Sequence, residues 1–190
     1  AVSLSSEAVA IGAYGEGSCA ASASASTSPA LDASCASSGA VYLFARVSWR
    51  FEAYVPNPRA EGSGDSFGWS VALADDTLAV GSYDDDSCSR AISTAAALDH
   101  GCARSGAVLV YKRRRGDTWR LASYVKAHDA ARRDMFGYAV ALSSNGKLLA
   151  VGAPRELSCG TSSSNAAASS VATAYASKCF AGGAYVYLPV

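Results

Sequence analysis

The feature that most constrains this chain is internal repetition. The segment GDSFGWSVALADDTLAVGSY at 64–83 returns as RDMFGYAVALSSNGKLLAVGAP at 133–154, which places Phe67-Gly68 and Phe136-Gly137 69 positions apart. A copy without its start opens the chain as VSLSSEAVAIGAY at 2–14. After each copy comes a Ser/Ala-rich excursion and then a second shared element, SGAVYLFAR at 38–46, SGAVLVYKR at 105–113 and GGAYVYL at 182–188. The first two copies continue into WRFEAYV at 49–55 and WRLASYV at 119–125. A unit this short cannot bury its own apolar faces, so repeated units must cover one another.

Within each copy apolar residues alternate with period two, the spacing of strands. Each copy therefore reads as strand A around the Phe-Gly, strand B ending in the Val-Gly step, strand C after the Gly-Ala and strand D after the Trp. One face carries Val71, Leu73, Leu78 and Val80, and the other Ala72, Ala74, Ala79 and Gly81. The split recurs as Val140, Leu142, Leu149 and Val151 against Ala141, Ser143, Ala150 and Gly152, and as Val9 and Ile11 against Ala10 and Gly12. Neither face is charged, so both faces are expected to be buried, large against small. Four-stranded antiparallel units of this kind stack as blades, and the predicted fold is all-β, part of a β-propeller.

The run F-G-x-x-V-A-L, a turn, L-A-V-G-A-P and then G-A-V-x-V-Y resembles the FG-GAP repeat found in the propeller of integrin α subunits and in secreted or surface proteins. The match lies at Phe67-Gly68, Phe136-Gly137 and Val151-Gly152-Ala153-Pro154, with weaker versions at Ile11-Gly12-Ala13-Tyr14 and Val80-Gly81-Ser82-Tyr83. The resemblance implies a non-enzymatic interaction module of an extracellular or cell-surface protein. Integrin-type repeats often hold calcium in a carboxylate-rich loop between strands A and B. The matching turns here, ALADDTL at 72–78 and ALSSNGKL at 141–148, lack the oxygen ligands, so that site is not carried over.

About two and three quarters blades are present, divided as 1–63 with strand A truncated, 64–132, and 133–190 without strand D. An incomplete ring is expected either to be an excerpt of a longer polypeptide or to complete itself against other chains. The partners this suggests are further blades of the same polypeptide or other protein chains.

Six cysteines flank the three excursions, as Cys19 and Cys35, Cys88 and Cys102, and Cys159 and Cys179. Fifteen pairings are open, and the repeat logic selects one disulfide per blade. The excursions are too poor in bulky apolar residues to form cores of their own. Disulfides point to an oxidising compartment. A rival metal site at Cys88, His100 and Cys102 lacks a fourth ligand and has no counterpart in the other repeats.

Sixteen basic and sixteen acidic side chains cancel, so no global field recruits nucleic acid, and no apolar run is long enough for a membrane helix. Three further candidates remain. Asp84, Asp85 and Asp86 form an acidic run that either is solvated or holds calcium, the one cofactor considered. Arg115-Gly116-Asp117 matches a cell-attachment tripeptide and is also what a hairpin turn between strands C and D requires. Asp65 and Asp134, each two residues before a Phe-Gly, read as turn formers, and Trp49, Trp69 and Trp119 as packing anchors. No nucleophile stands beside His100 or His128 in a recognisable motif, so no catalytic residue is assigned. The expected role is protein–protein contact or assembly of a surface structure. The alternatives are a lectin-like or calcium-assisted adhesion domain binding a glycan, and an accessory propeller of a secreted hydrolase.

Overall fold

A computed structural model describes residues 1–20, 23–24, 33–59, 64–114, 118–157 and 182–188. Among them every element is a strand, and no helix is long and apolar enough to cross a membrane. Three antiparallel meanders follow in chain order. The first holds β1 (Val2–Leu4), β2 (Ala8–Ala13), β3 (Ala40–Ala45) and β4 (Phe51–Pro56). The second holds β5 (Ser70–Ala74), β6 (Thr77–Ser82), β7 (Ala107–Lys112) and β8 (Arg120–Val125). The third holds β9 (Ala139–Leu142), β10 (Leu149–Ala153) and β11 (Gly183–Tyr187). The sheets stack as blades of a propeller without closing into a ring.

Packing follows the large and small faces. Ala8, Ala10 and Ala53 of the first sheet meet Val71, Leu73, Leu78 and Val80 of the second. Ala72 and Ala79 on the other side of that second sheet meet Leu149, Val151 and Tyr185 of the third, with Val140 and Leu142 at the edge. The middle sheet is thus sandwiched, and every residue of β5 and β6 is buried. Burying each large aliphatic side chain contributes about 1.5–3 kcal/mol.

The Phe-Gly turns lock one blade to the next. Phe67 is fully buried, and its N–H donates to the carbonyl of Ser38 at 3.2 Å while Ser66 N–H donates to Ser37 at 3.1 Å. Phe136 and Met135 repeat this on Ser105 and Arg104, each at 3.0 Å. Each turn pushes its glycine carbonyl against the neighbour's Val-Gly step. A Cβ on Gly12 would lie 2.0 Å from the Gly68 oxygen, and one on Gly81 2.1 Å from the Gly137 oxygen. Glycine at these two places is therefore a requirement of close approach.

Two sequence expectations need correction. Trp119 is 3% exposed and joins the core between the first two sheets, whereas Trp49 is 67% exposed and anchors nothing. The first blade closes its β3–β4 hairpin tightly, with Trp49 N–H donating to Ala45 at 2.8 Å, and Trp49 takes a left-handed position (φ 54°) in that turn. In the third copy the alignment shifts by one residue. Ala153 pairs with Gly183 where Ser82 pairs with Ala107, so Gly182 rather than Gly183 stands in the place of Gly106.

Candidate functional site

Both described excursions leave the same rim, where β2 and β6 end, and both are pinned at two levels. Disulfides join Cys19 to Cys35 and Cys88 to Cys102, with Cα–Cα distances of 5.1 and 4.9 Å. The second bridge consumes both cysteines of the rival metal site. Farther out, each excursion adds a bridge to the outer strand, since Ser24 N–H donates to Tyr54 and Ser93 N–H to Tyr124, at 2.9 and 3.0 Å. Sequence composition gave no sign of this docking. Cys159 and Cys179 lie outside the described residues, as do Arg115, Gly116 and Asp117.

Beneath the rim a matched pair recurs. The Tyr54 hydroxyl donates to Glu16 in the first blade and the Tyr124 hydroxyl to Asp85 in the second, both at 2.9 Å. In the second blade this pair becomes a buried ionic cluster. Asp85 also receives the Arg59 guanidinium from the linker between blades, the Lys126 ammonium at 3.0 Å and the Ser87 N–H at 3.0 Å. Arg59 reaches on to Asp86 at 3.1 Å and lies 3.5 Å from Asp65, which accepts from Asn57 at 3.0 Å. Lys126 donates to Ser105 at 2.7 Å. Burial pulls the Lys126 ammonium below the ordinary lysine value against the pull of Asp85, and burial with the Asp85 charge holds the Tyr124 phenol protonated far above the ordinary tyrosine value.

The acidic run is thus divided among different partners. Asp84 faces Arg104 at 3.0 Å and accepts from Ser66 at 3.0 Å, Asp85 is saturated as above, and Asp86 is shared by Arg59 and His100. Among the described residues no three His, Cys, Asp or Glu side chains gather closely enough to hold a metal ion. Asp134 does bond the backbone of its turn, accepting from Ala131 N–H at 2.7 Å. Its repeat partner Asp65 accepts from the Asn57 amide and lies beside the Arg59 guanidinium.

On the rim itself four aromatic rings form a continuous array. Tyr14 and Tyr83 follow the glycine of the Val-Gly step by two residues, and Trp69 and Tyr138 follow the Phe-Gly directly. Trp69 sits among the other three, with ring centroids 5.0 Å from Tyr14, 4.7 Å from Tyr83 and 5.4 Å from Tyr138. Tyr14 is 49% and Tyr138 41% exposed. Edge-to-face contacts of this kind hold the rings in fixed orientation while leaving faces open. An open cavity of about 330 Å³ continues the row, lined by Tyr138, Pro154, Gly152 and Gly182.

Antiparallel four-stranded blades, interlocked through Phe-Gly turns and presenting loops and rings on one rim, define a partial β-propeller of the blade-repeat class. The family model of the FG-GAP repeat matches residues 61–111 and 119–172, over half of the chain, and the chain belongs to that family. A search of curated proteins finds no match.

Proposed function

We propose that these blades form a non-enzymatic extracellular module that binds a protein partner through the rim carrying the aromatic row and the disulfide-clipped excursions. The observation that carries this reading is the array of Tyr14, Trp69, Tyr83 and Tyr138, packed ring against ring, with Tyr14 and Tyr138 exposed and Trp69 and Tyr83 partly buried between them. Preoriented Trp and Tyr faces bury large area at little entropic cost, as binding hot spots do. Two disulfides support an oxidising compartment. The test is quantitative capture from the native extracellular fraction by the immobilised chain and by its Trp69→Ala/Tyr138→Ala variant. A saturable partner retained by the first and lost at least tenfold by the second, with unchanged circular dichroism, supports the rim. Equal retention by both defeats it.

The module is further proposed to work without calcium, because Asp84, Asp85 and Asp86 are each engaged by cationic side chains of the chain itself. The midpoint of thermal unfolding is expected to be the same in excess calcium and in excess EDTA. A rise with calcium would restore the adhesion-type alternative.

A further inference from the structure

Both joints inside the chain lay a large sheet face on a small one, and the two outermost faces are the unmatched halves of the same arrangement. On the first sheet Val2, Leu4, Ile11, Tyr42, Phe44 and Phe51 share the face turned away from the second sheet, since residues paired across neighbouring strands point the same way. Val2 is 63%, Leu4 62% and Ile11 37% exposed, and the three rings are half-buried. Their counterparts Val71, Leu73, Val80, Leu109, Tyr111 and Leu121 keep the same cross-strand pairing and pack into the joint with the first sheet. On the third sheet the small face is the open one. Ala139, Ala141, Ala150 and Ala184 are exposed, as is Val186, with Gly152 among them. The matching Ala72, Ala79, Val108 and Val110 of the second sheet are buried beneath the third. None of the positions on either open face carries a charge, so both leave apolar surface in water where an outer face ordinarily turns polar.

We infer that the small face of the third sheet receives the large face of the first sheet of a second copy, head to tail. The direction of stacking is the one already used twice within the chain, and the sizes are matched. Ala184 stands where the second sheet has Val108, and Tyr42 where the second sheet has Leu109, so a smaller floor meets a larger ring and the volumes compensate. Such a contact joins two different patches, so it passes from copy to copy unless the set closes on itself. The first repeat brings no Phe-Gly turn to this joint. Contact between copies therefore rests on the sheet faces alone and is weaker than the two internal joints. It uses neither the aromatic rim nor the clipped excursions and is independent of the rim interaction proposed above.

The experiment is sedimentation velocity of the whole 190-residue chain at neutral pH. The wild type is expected to grow past the monomer as its concentration rises from about 1 to about 100 μM. Leu4→Glu and Ala150→Glu each place a charge on one of the two exposed faces, and each should weaken self-association about a hundredfold or more with unchanged circular dichroism. Leu4→Glu retains an intact third-sheet face and Ala150→Glu an intact first-sheet face. An equimolar mixture of the two variants should therefore restore a single contact and give a one-to-one dimer and nothing larger. If either substitution alters the circular dichroism, Val2→Glu or Ala141→Glu on the same face takes its place. A wild type that stays monomeric throughout, or a mixture that stays monomeric, overturns the inference. A dimer formed by either variant alone assigns the contact to a like-with-like surface, such as the edge of β11, and overturns it as well.

Discussion

Glycine at a blade joint is worth most where another backbone already occupies the space of its missing side chain. Gly81 faces the Gly137 oxygen, so Gly81→Ala must force the second and third blades apart and should cost about 1–3 kcal/mol in urea denaturation. At Gly152 the nearest described atom to an added Cβ is the Ala139 side chain at an ordinary 3.6 Å, and Gly152→Ala should stay within about 0.5 kcal/mol of wild type. Equal effects at the two positions would refute the interlock. Asp134 supplies a pH-dependent counterpart. Burial, with the charges of Glu156 and Asp129 adding, pushes its carboxyl from 3.8 up to about 6. The folded state therefore holds a proton that the unfolded state has lost between these values, so this group's contribution to stability falls as pH rises through that window. Asp134→Asn keeps an acceptor for Ala131 N–H and removes the ionisation. It should raise the thermal midpoint at pH 7, with the advantage shrinking toward pH 4, and a constant difference across that range would exclude the effect. Sequence reading took Asp85 for part of a surface run or a calcium ligand set. The sign of its burial was there, since Glu16 and Asp85 precede matched tyrosines by 38 and 39 positions. A contact across that separation becomes visible only once the strands are paired.

At the level of strands and loops, alternation alone located the strand regions of all three sheets, because a two-residue period has no helical equivalent and the repeats confirm one another. What alternation could not supply was the exact register of β11, where the exchange of bulky for small residues shifts Gly182 into the turn position. Nor could it separate Trp119 from Trp49. The difference depends on hairpin length and on which sheet lies alongside, and neither is a property of the strand itself. The excursions show the same limit, since composition marks them as coreless but not as tied to the outer strand. Their disulfides close segments of 16 and 14 residues, so Cys88→Ala/Cys102→Ala should cost up to about 3 kcal/mol, read as a lower urea midpoint with an unchanged slope. Peptide mapping without reductant should yield the two described bridges together with a Cys159–Cys179 peptide. Any linkage between different excursions would break the one-bridge-per-blade rule.

Across the molecule, stability is a chain of nearest-neighbour terms, each sheet supported by the one whose Phe-Gly turn it receives. Phe67 belongs by sequence to the second blade, yet its backbone bonds to the first and its ring meets Tyr111 at 6.2 Å. Phe67→Ala should therefore cost about 3–5 kcal/mol and speed amide hydrogen exchange in β2 and β3 as well as in β5 and β6. Faster exchange confined to the second sheet would show that the blades are not coupled through this turn. The joint also bears on how such a chain can grow. The Phe-Gly interlock is carried by a few consecutive residues before strand A, by the backbone just before strand C that receives them, and by two glycines, all outside the segments between paired cysteines. A tandem duplication at the gene level that copies one whole period delivers donor and acceptor together, and insertions between the cysteines change the display without disturbing the hinge-like fit. Length at the periphery and count along the axis are thus free to vary independently, which gives a chain of such blades two separate dials for diversification.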